Sequence, residues 1–511
     1  MPTLTTVFLP FCLIALPWLN PFSFGPTPAV MPLLFSWACA LALMGSYGLG
    51  VMGTDGERLV RVTRAAWLAA ASLSAVLGLL QYFGVSARFE PWVNSTGLGE
   101  AFGNLRQRNQ FATLTNIGLV ALLAWTVQAP GPATPVAKGA PTWPLARRWV
   151  FALLAAGLLG LGNAASSSRT GLVQLGMLVL LAGVWRSWRR PQARGVLLAA
   201  ALAYAVGALV LPRLAGLDPL SAGILARLHE GDSACGSRLT LWGNVWHLTT
   251  LKPWLGWGWG ELSYAHFITL YPGNGPRFCE LLGNAHNLPL HLAVELGLPV
   301  ALAFCSAFAL ALWCAKPWRE SNASRQMAWA VIAVILMHSL LEYPLWYGPF
   351  QMAFGLSVWM LLRTPARQGE SSKPFSPLAP YLRAWVAMLL IAFVTYAAWD
   401  YQRISQIYLP PPERQAAYRE NTLTKISATW LFRHQVNFAG LSTAELSASN
   451  AAPLHDLALD LLHYSPEARV VERVIESAEL LGLKDEGAYY RARFQAAYPE
   501  RYAQWLTEKK P

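Results

Sequence analysis

Residues 195–212 read GVLLAAALAYAVGALVLP, a run without a single charge, set between Arg194 and Arg213. Wound into a helix at about 1.5 Å per residue, it approaches the hydrocarbon thickness of a bilayer, about 30 Å. A barrel strand would be about 10 residues long and would alternate in polarity, so this run is read as a membrane-spanning helix. Similar blocks precede it at residues 4–19, 29–50, 65–83, 110–127, 149–162 and 171–185, and follow it at 290–315, 327–341, 349–362 and 384–398. Eleven spans are therefore expected. The first block lacks a basic start and a small-residue cleavage site, which favours a span over a signal peptide. A chain of 511 residues that is 54% hydrophobic and 13% charged, with 23 Trp, has too little polar surface to cover a soluble globule.

Basic residues resist translocation, and they cluster in alternate loops. Arg58, Arg61 and Arg64 form one cluster, and Lys138, Arg147 and Arg148 the next. Arg186, Arg189, Arg190 and Arg194 follow, then Lys316, Arg319 and Arg325, then Arg363, Arg367, Lys373 and Arg383. With these five loops cytoplasmic, the N-terminus lies inside and the C-terminus outside. Residues 84–109, 213–289 and 400–511 are then external, in the periplasm of a bacterial inner-membrane protein. From residue 400 on there are 13 Lys and Arg against 14 Asp and Glu, so the formal charge of +12 belongs to the membrane part and asks for no nucleic acid. Basic residues left on the outside need another reason.

We divide the chain at 399/400. The tail changes composition abruptly, carries Pro410-Pro411-Pro412 near its start, and reads as short amphipathic helices stacked as hairpins in the tetratricopeptide manner, with no clean repeat. His455, Asp456, Asp460 and His463 have helical spacing, which a solvated helix face explains better than a metal site. Cys12, Cys39, Cys305 and Cys314 lie in or beside apolar blocks and read as small core residues. Cys235 and Cys279 share the external loop 213–289. An oxidising compartment permits a disulfide between them, and two unrelated thiols are the alternative, since sequence supplies no distance.

Chemistry is expected where polar groups sit against the membrane without a solubility reason. The external loop holds Gly236-Ser237-Arg238-Leu239-Thr240-Leu241-Trp242, then Pro253-Trp254-Leu255-Gly256-Trp257-Gly258-Trp259-Gly260-Glu261. It ends in Gly283-Asn284-Ala285-His286-Asn287-Leu288-Pro289-Leu290-His291, leading to Glu295-Leu296-Gly297. Further segments are Gly103-Asn104-Leu105-Arg106-Gln107-Arg108-Asn109-Gln110, Ser168-Arg169-Thr170-Gly171, and His338-Ser339-Leu340-Leu341-Glu342-Tyr343-Pro344-Leu345-Trp346-Tyr347.

Together these segments resemble the superfamily of O-antigen ligases, O-antigen polymerases and bacterial O-oligosaccharyltransferases. Gln107-Arg108-Asn109 resembles its Gln-x-Asn motif, with Arg108 where many relatives carry Pro, and residues 338–347 resemble the signature of the PglL-type, protein-glycosylating branch. The resemblance implies transfer of a preassembled oligosaccharide from an undecaprenyl diphosphate carrier to a Ser or Thr hydroxyl of an acceptor protein such as a pilin. It implies no nucleotide sugar, no cofactor and no metal. Transfer to lipid A core sugar, glycan polymerisation, and flipping of a lipid-linked glycan are the rival readings.

A diphosphate in a low-dielectric site needs cations that stay charged, which arginine supplies best. Arg238 is therefore expected to act on the diphosphate, with Arg169, Arg106 and Arg108 as further donor-binding groups. An attacking hydroxyl must lose its proton, and a largely neutral histidine can take it. His286 is the expected base. Gln107, Asn109, His338, Glu342, Tyr343 and Glu280 are candidates for acceptor placement or structural support, His338 being expected to sit buried and hydrogen-bonded.

Overall fold

The computed structural model describes residues 4–50, 55–127, 145–229, 235–271, 276–364 and 380–509, and the regular structure among them is helical. Lys138, Arg367 and Lys373 of the expected basic loops lie outside the described residues. Seven helices precede the long external loop: α1 (Leu9–Leu19), α2 (Val30–Gly48), α3 (Gly56–Tyr82), α4 (Arg108–Val127), α5 (Leu145–Ala165), α6 (Arg169–Val184) and α7 (Pro191–Leu214). The loop carries α8 (Gly223–His229), α9 (Arg238–Leu251) and α10 (Leu262–Ile268). Then come α11 (Leu288–Leu296), α12 (Leu298–Ala315), α13 (Ala323–Ser339), α14 (Gly348–Arg363) and α15 (Pro380–Ser405).

Each apolar block falls in helix, and α2, α3, α4, α5, α7, α12 and α15 are long and apolar enough to cross a membrane. This is a polytopic helical membrane protein. One block is not a single helix. Residues 290–315 break at Gly297, which takes φ +87°, so α11 ends there and the helix long enough to cross begins at Leu298.

By its contacts the chain divides into two compact units: Met1–Ser23 with Pro28–Glu230 and Leu312–Tyr396, and Phe24–Thr27 with Gly231–Ala311 and Ala397–Pro511. In the first, α4 is the central helix. It is enclosed on nearly every face, 83% of its most apolar stretch being buried, and α3, α5, α6 and α13 pack around it. Helix starts are set by side-chain caps: Asp55 accepts from the Arg58 N–H at 3.2 Å, and Ser168 Oγ from the Gly171 N–H at 3.0 Å.

In the second unit α9, α10 and α11 enclose a small core of Leu241, Val245, Leu248, Leu262, Ala285 and Val294. The tail adds α16 (Thr422–Ile426), α17 (Arg433–Thr443), α18 (Ala451–Tyr464), α19 (Ala468–Leu480), α20 (Lys484–Ala497) and α21 (Pro499–Glu508), each packed on the next from α16 onward. Val470, Val474, Phe494 and Trp505 fill its core, and Phe267 of α10 is buried with them. The tail histidines go separate ways. His455 Nδ1 lies 2.9 Å from Ser477 Oγ, whereas His463 Nδ1 lies 2.8 Å from Glu261 Oε2 with its ring stacked on Tyr264 at 3.8 Å.

Candidate active site

In the second unit Ser237 caps α9, its Oγ accepting from the Thr240 N–H at 3.1 Å, so Arg238 opens the helix. One turn on, Trp242 Nε1 donates to the carbonyl of Ala285 at 3.1 Å. Cys235 and Cys279 form a disulfide with their Cα atoms 5.3 Å apart, and the Cys279 N–H donates to the Cys235 carbonyl at 3.3 Å. These links fasten the start of α9 to the chain that leads into His286. Glu280, within that chain, is exposed.

Asn287 caps α11, its Oδ1 accepting from the Leu290 N–H at 3.1 Å, with Pro289 in the first turn. His286 precedes the cap at φ +51°, a left-handed conformation that costs a non-glycine residue about 1 kcal/mol. The turn is held by the His286 N–H donating to Oδ1 of buried Asn284 at 2.9 Å. The imidazole is thus half-buried on a rigid turn rather than on a free loop.

Behind it, His291 and Glu295 share one face of α11, both buried, with Nε2 and Oε2 3.4 Å apart. Burial, followed by the nearby His286 charge, pulls His291 down to about 4. Burial pushes Glu295 up to about 7, opposed by the N–H groups of Gly260 and Leu262 and aided by the Glu261 charge. Between those values the two are a neutral pair rather than an ion pair, because neither charge is favoured away from water. Sequence reading passed over His291 as a site residue, although its spacing of four from Glu295 was in view.

The Gly and Trp run has a backbone role. The Trp257 N–H donates to the Val294 carbonyl, and the Gly258 N–H to the Glu295 carbonyl, both at 2.9 Å, while the Leu298 N–H reaches the Pro253 carbonyl at 2.8 Å. A Cβ on Gly256 would stand 2.3 Å from the Glu295 oxygen, and one on Gly297 2.1 Å from the Trp254 oxygen. Only glycine lets the two backbones cross.

In the first unit the expected residues fall into two sets. Arg106 donates to the Pro21 carbonyl and to Asn94 Oδ1, Arg108 reaches Glu100 at 3.4 Å, and Gln107 caps α4 through Gln110 N–H at 3.2 Å. Asn109, by contrast, faces inward, donating to Glu342 Oε1 at 3.1 Å and accepting from Ser168 Oγ at 2.6 Å. His338 is fully buried, its Nδ1 2.9 Å from Thr113 Oγ1, which also contacts Gln174. Tyr343 stacks on Tyr347 with centroids 5.8 Å apart. Arg169 is the first residue of α6, half-buried beside its Ser168 cap. The buried network therefore includes Thr113, Asn116, Asn163 and Gln174, which sequence reading missed. Asn109, Thr113 and Asn116 recur at helical spacing in an apolar span, and that stripe was the available signal.

Three families match successive parts of the chain. Residues 101–126 match the protein glycosylation ligases, residues 152–305 the O-antigen ligases, and residues 326–510 the C-terminal part of the virulence factor membrane-bound polymerases. The chain is similar to a general O-oligosaccharyltransferase of Acinetobacter baylyi, 24% identical over 377 residues. That match covers 72% of this chain and 61% of the length of the relative. Taken together, these matches support a PglL-type member of the O-antigen ligase superfamily.

Proposed function

We propose that this protein transfers a preassembled oligosaccharide from undecaprenyl diphosphate to Ser or Thr hydroxyls of periplasmic proteins, pilins among them. The observation that carries the reading is the capped turn at His286, fastened to the start of α9 at Arg238 by a disulfide and by Trp242. His286 takes the hydroxyl proton, the oxygen attacks the anomeric carbon, and the bond from that carbon to the diphosphate oxygen breaks. Undecaprenyl diphosphate leaves, its negative charge stabilised by the Arg238 guanidinium. No step requires a metal or cofactor. Arg169 is a further donor cation, to be tested on its own. Arg106 and Arg108, which contact the Pro21 carbonyl and Glu100, remain further donor cations in this reading.

The same reading takes eleven spans of a bacterial inner membrane, α1, α6, α13 and α14 included and the eighth beginning at Leu298 so that α11 lies outside it, with the N-terminus cytoplasmic and the tail periplasmic. Consecutive packing of α17 to α21 supports a tetratricopeptide-like tail that binds or supports the acceptor. The polymerase match over residues 326–510 favours a second reading, joining of glycan to glycan.

The test uses purified full-length protein in lipid, with donor binding and glycan transfer measured separately. His286→Ala should bind the donor normally and lose transfer by about 10²-fold or more, whereas Arg238→Ala should weaken donor binding and Arg238→Lys should retain part of it. Near-normal transfer by His286→Ala removes it as the base. Products lengthened on the glycan, with no protein modified, favour the polymerase reading.

A further inference from the structure

A cleft of about 740 Å³ runs between α3 and α5 in the first unit, and none of the groups given a part in glycan transfer lines it. Its floor is the small-residue line Ala65, Ala69 and Ser72 on α3, and Leu68, Phe151, Leu154 and Leu158 give it apolar walls. The floor residues follow helical spacing, so their small size leaves a channel along the helix instead of a single hole.

One end of this channel is cationic. Arg61 and Arg64 line it directly. The Arg148 guanidinium lies over the Trp125 ring, 5.0 Å from its centroid, and Trp125 in turn meets Phe151 edge-on at 5.5 Å. Both aromatic rings belong to the cleft wall, and Arg61 and Arg148 stand near enough to Arg64 to act on its charge. Among the described residues, the acidic groups paired with these arginines are Asp55 and Glu57, 3.6 and 3.7 Å from Arg61. Those pairs are exposed and weak, and Asp55 is shared with Arg58 at 3.7 Å, so positive charge remains in excess.

An apolar channel closed by several guanidinium groups matches a molecule with a long hydrocarbon chain and a phosphate at one end. We propose that this cleft binds an anionic diacyl phospholipid, its phosphate held by Arg61, Arg64 and Arg148 and one acyl chain laid along Ala65, Ala69 and Ser72. The three arginines belong to loops read as cytoplasmic, whereas the diphosphate of the glycan donor is handled at the opposite face. A lipid of the cytoplasmic leaflet meets both demands at once.

The experiment is native mass spectrometry of the full chain in mild detergent, incubated with dioleoyl phosphatidylglycerol or dioleoyl phosphatidylcholine. The expected result is one retained phosphatidylglycerol per chain, favoured about tenfold or more over phosphatidylcholine. The double variant Arg64→Gln/Arg148→Gln should lower that retention about tenfold. Ala69→Trp, whose exposed position lets the ring extend into the channel with the arginines intact, should lower it as well. Equal retention of the two lipids overturns the proposal, as does unchanged retention in Ala69→Trp. Co-purification of a polyprenyl phosphate in the cleft, displaced by neither phospholipid, overturns the choice of occupant. None of these outcomes depends on whether His286 or Arg238 supports transfer.

Discussion

At His286 the backbone and the side chain ask for different things. The left-handed turn would suit asparagine better than histidine, because a short amide is tolerated there. His286→Asn should therefore fold at least as well as the native protein while losing the group proposed to take the proton. The buried pair behind it yields a prediction about pH. Glu295, raised to about 7, contributes stability that is present below about 4.5 and lost as pH rises through about 7. His291, lowered to about 4, contributes stability that is present above about 6.5 and lost as pH falls through about 4. The two slopes oppose each other over about pH 4.5 to 6.5 and largely cancel. Removing one partner exposes the other: Glu295→Gln should become more stable as pH rises from 4.5 to 6.5, and His291→Gln less stable as pH rises from 4.5 to 7, each by up to about 3 kcal/mol. Apparent melting temperatures across that range read both signs. Parallel profiles in the two variants would rule out the neutral pair.

At the scale of elements, the break at Gly297 divides α11, which carries His291 and Glu295, from α12, the helix long enough to cross a membrane. A methyl at Gly297 would meet backbone atoms of Trp254, which cannot swing aside, and would also strain φ +87°. Gly297→Ala should cost about 3 kcal/mol or more. Gly243, in the middle of α9, has no atom within 4 Å of an added Cβ, so Gly243→Ala should be neutral or stabilising by up to about 1 kcal/mol. Comparable melting temperatures for the two variants would refute the backbone crossing. The apolar blocks were legible because burial in lipid leaves a continuous composition signal. The break was not, because Gly297-Leu298-Pro299 is as apolar as its surroundings, and only the Gly followed by Pro hinted at an end and a new start. The turn at His286-Asn287 was legible because a cap is a local pattern. The Arg106 contact with the Pro21 carbonyl was not, because no local pattern announces a contact so distant in sequence.

For the whole molecule, the proposed orientation rests on five basic loops acting together. A periplasm-dependent reporter fused after the tail should be active, and one fused within the basic loop at Arg186 to Arg194 should be silent. The reverse pattern would place every proposed site residue in the wrong compartment. Helix α10 bears on a different matter, the inheritance of parts. Seven residues long, it gives Leu262 and Ala265 to the core under the His286 turn and Phe267 to the core of the tail, while Arg493 of the tail donates to the Ile268 carbonyl at 2.8 Å. A chimaera joined at residue 400 would thus graft a foreign tail onto a helix shaped for the old one, leaving Phe267 without its socket. What belongs with the tail is discontinuous in sequence: residues 261–268 and also Phe24–Thr27, whose Thr27 N–H donates to Tyr401 Oη at 2.8 Å, and any recombination that separates them from the tail must repair both halves.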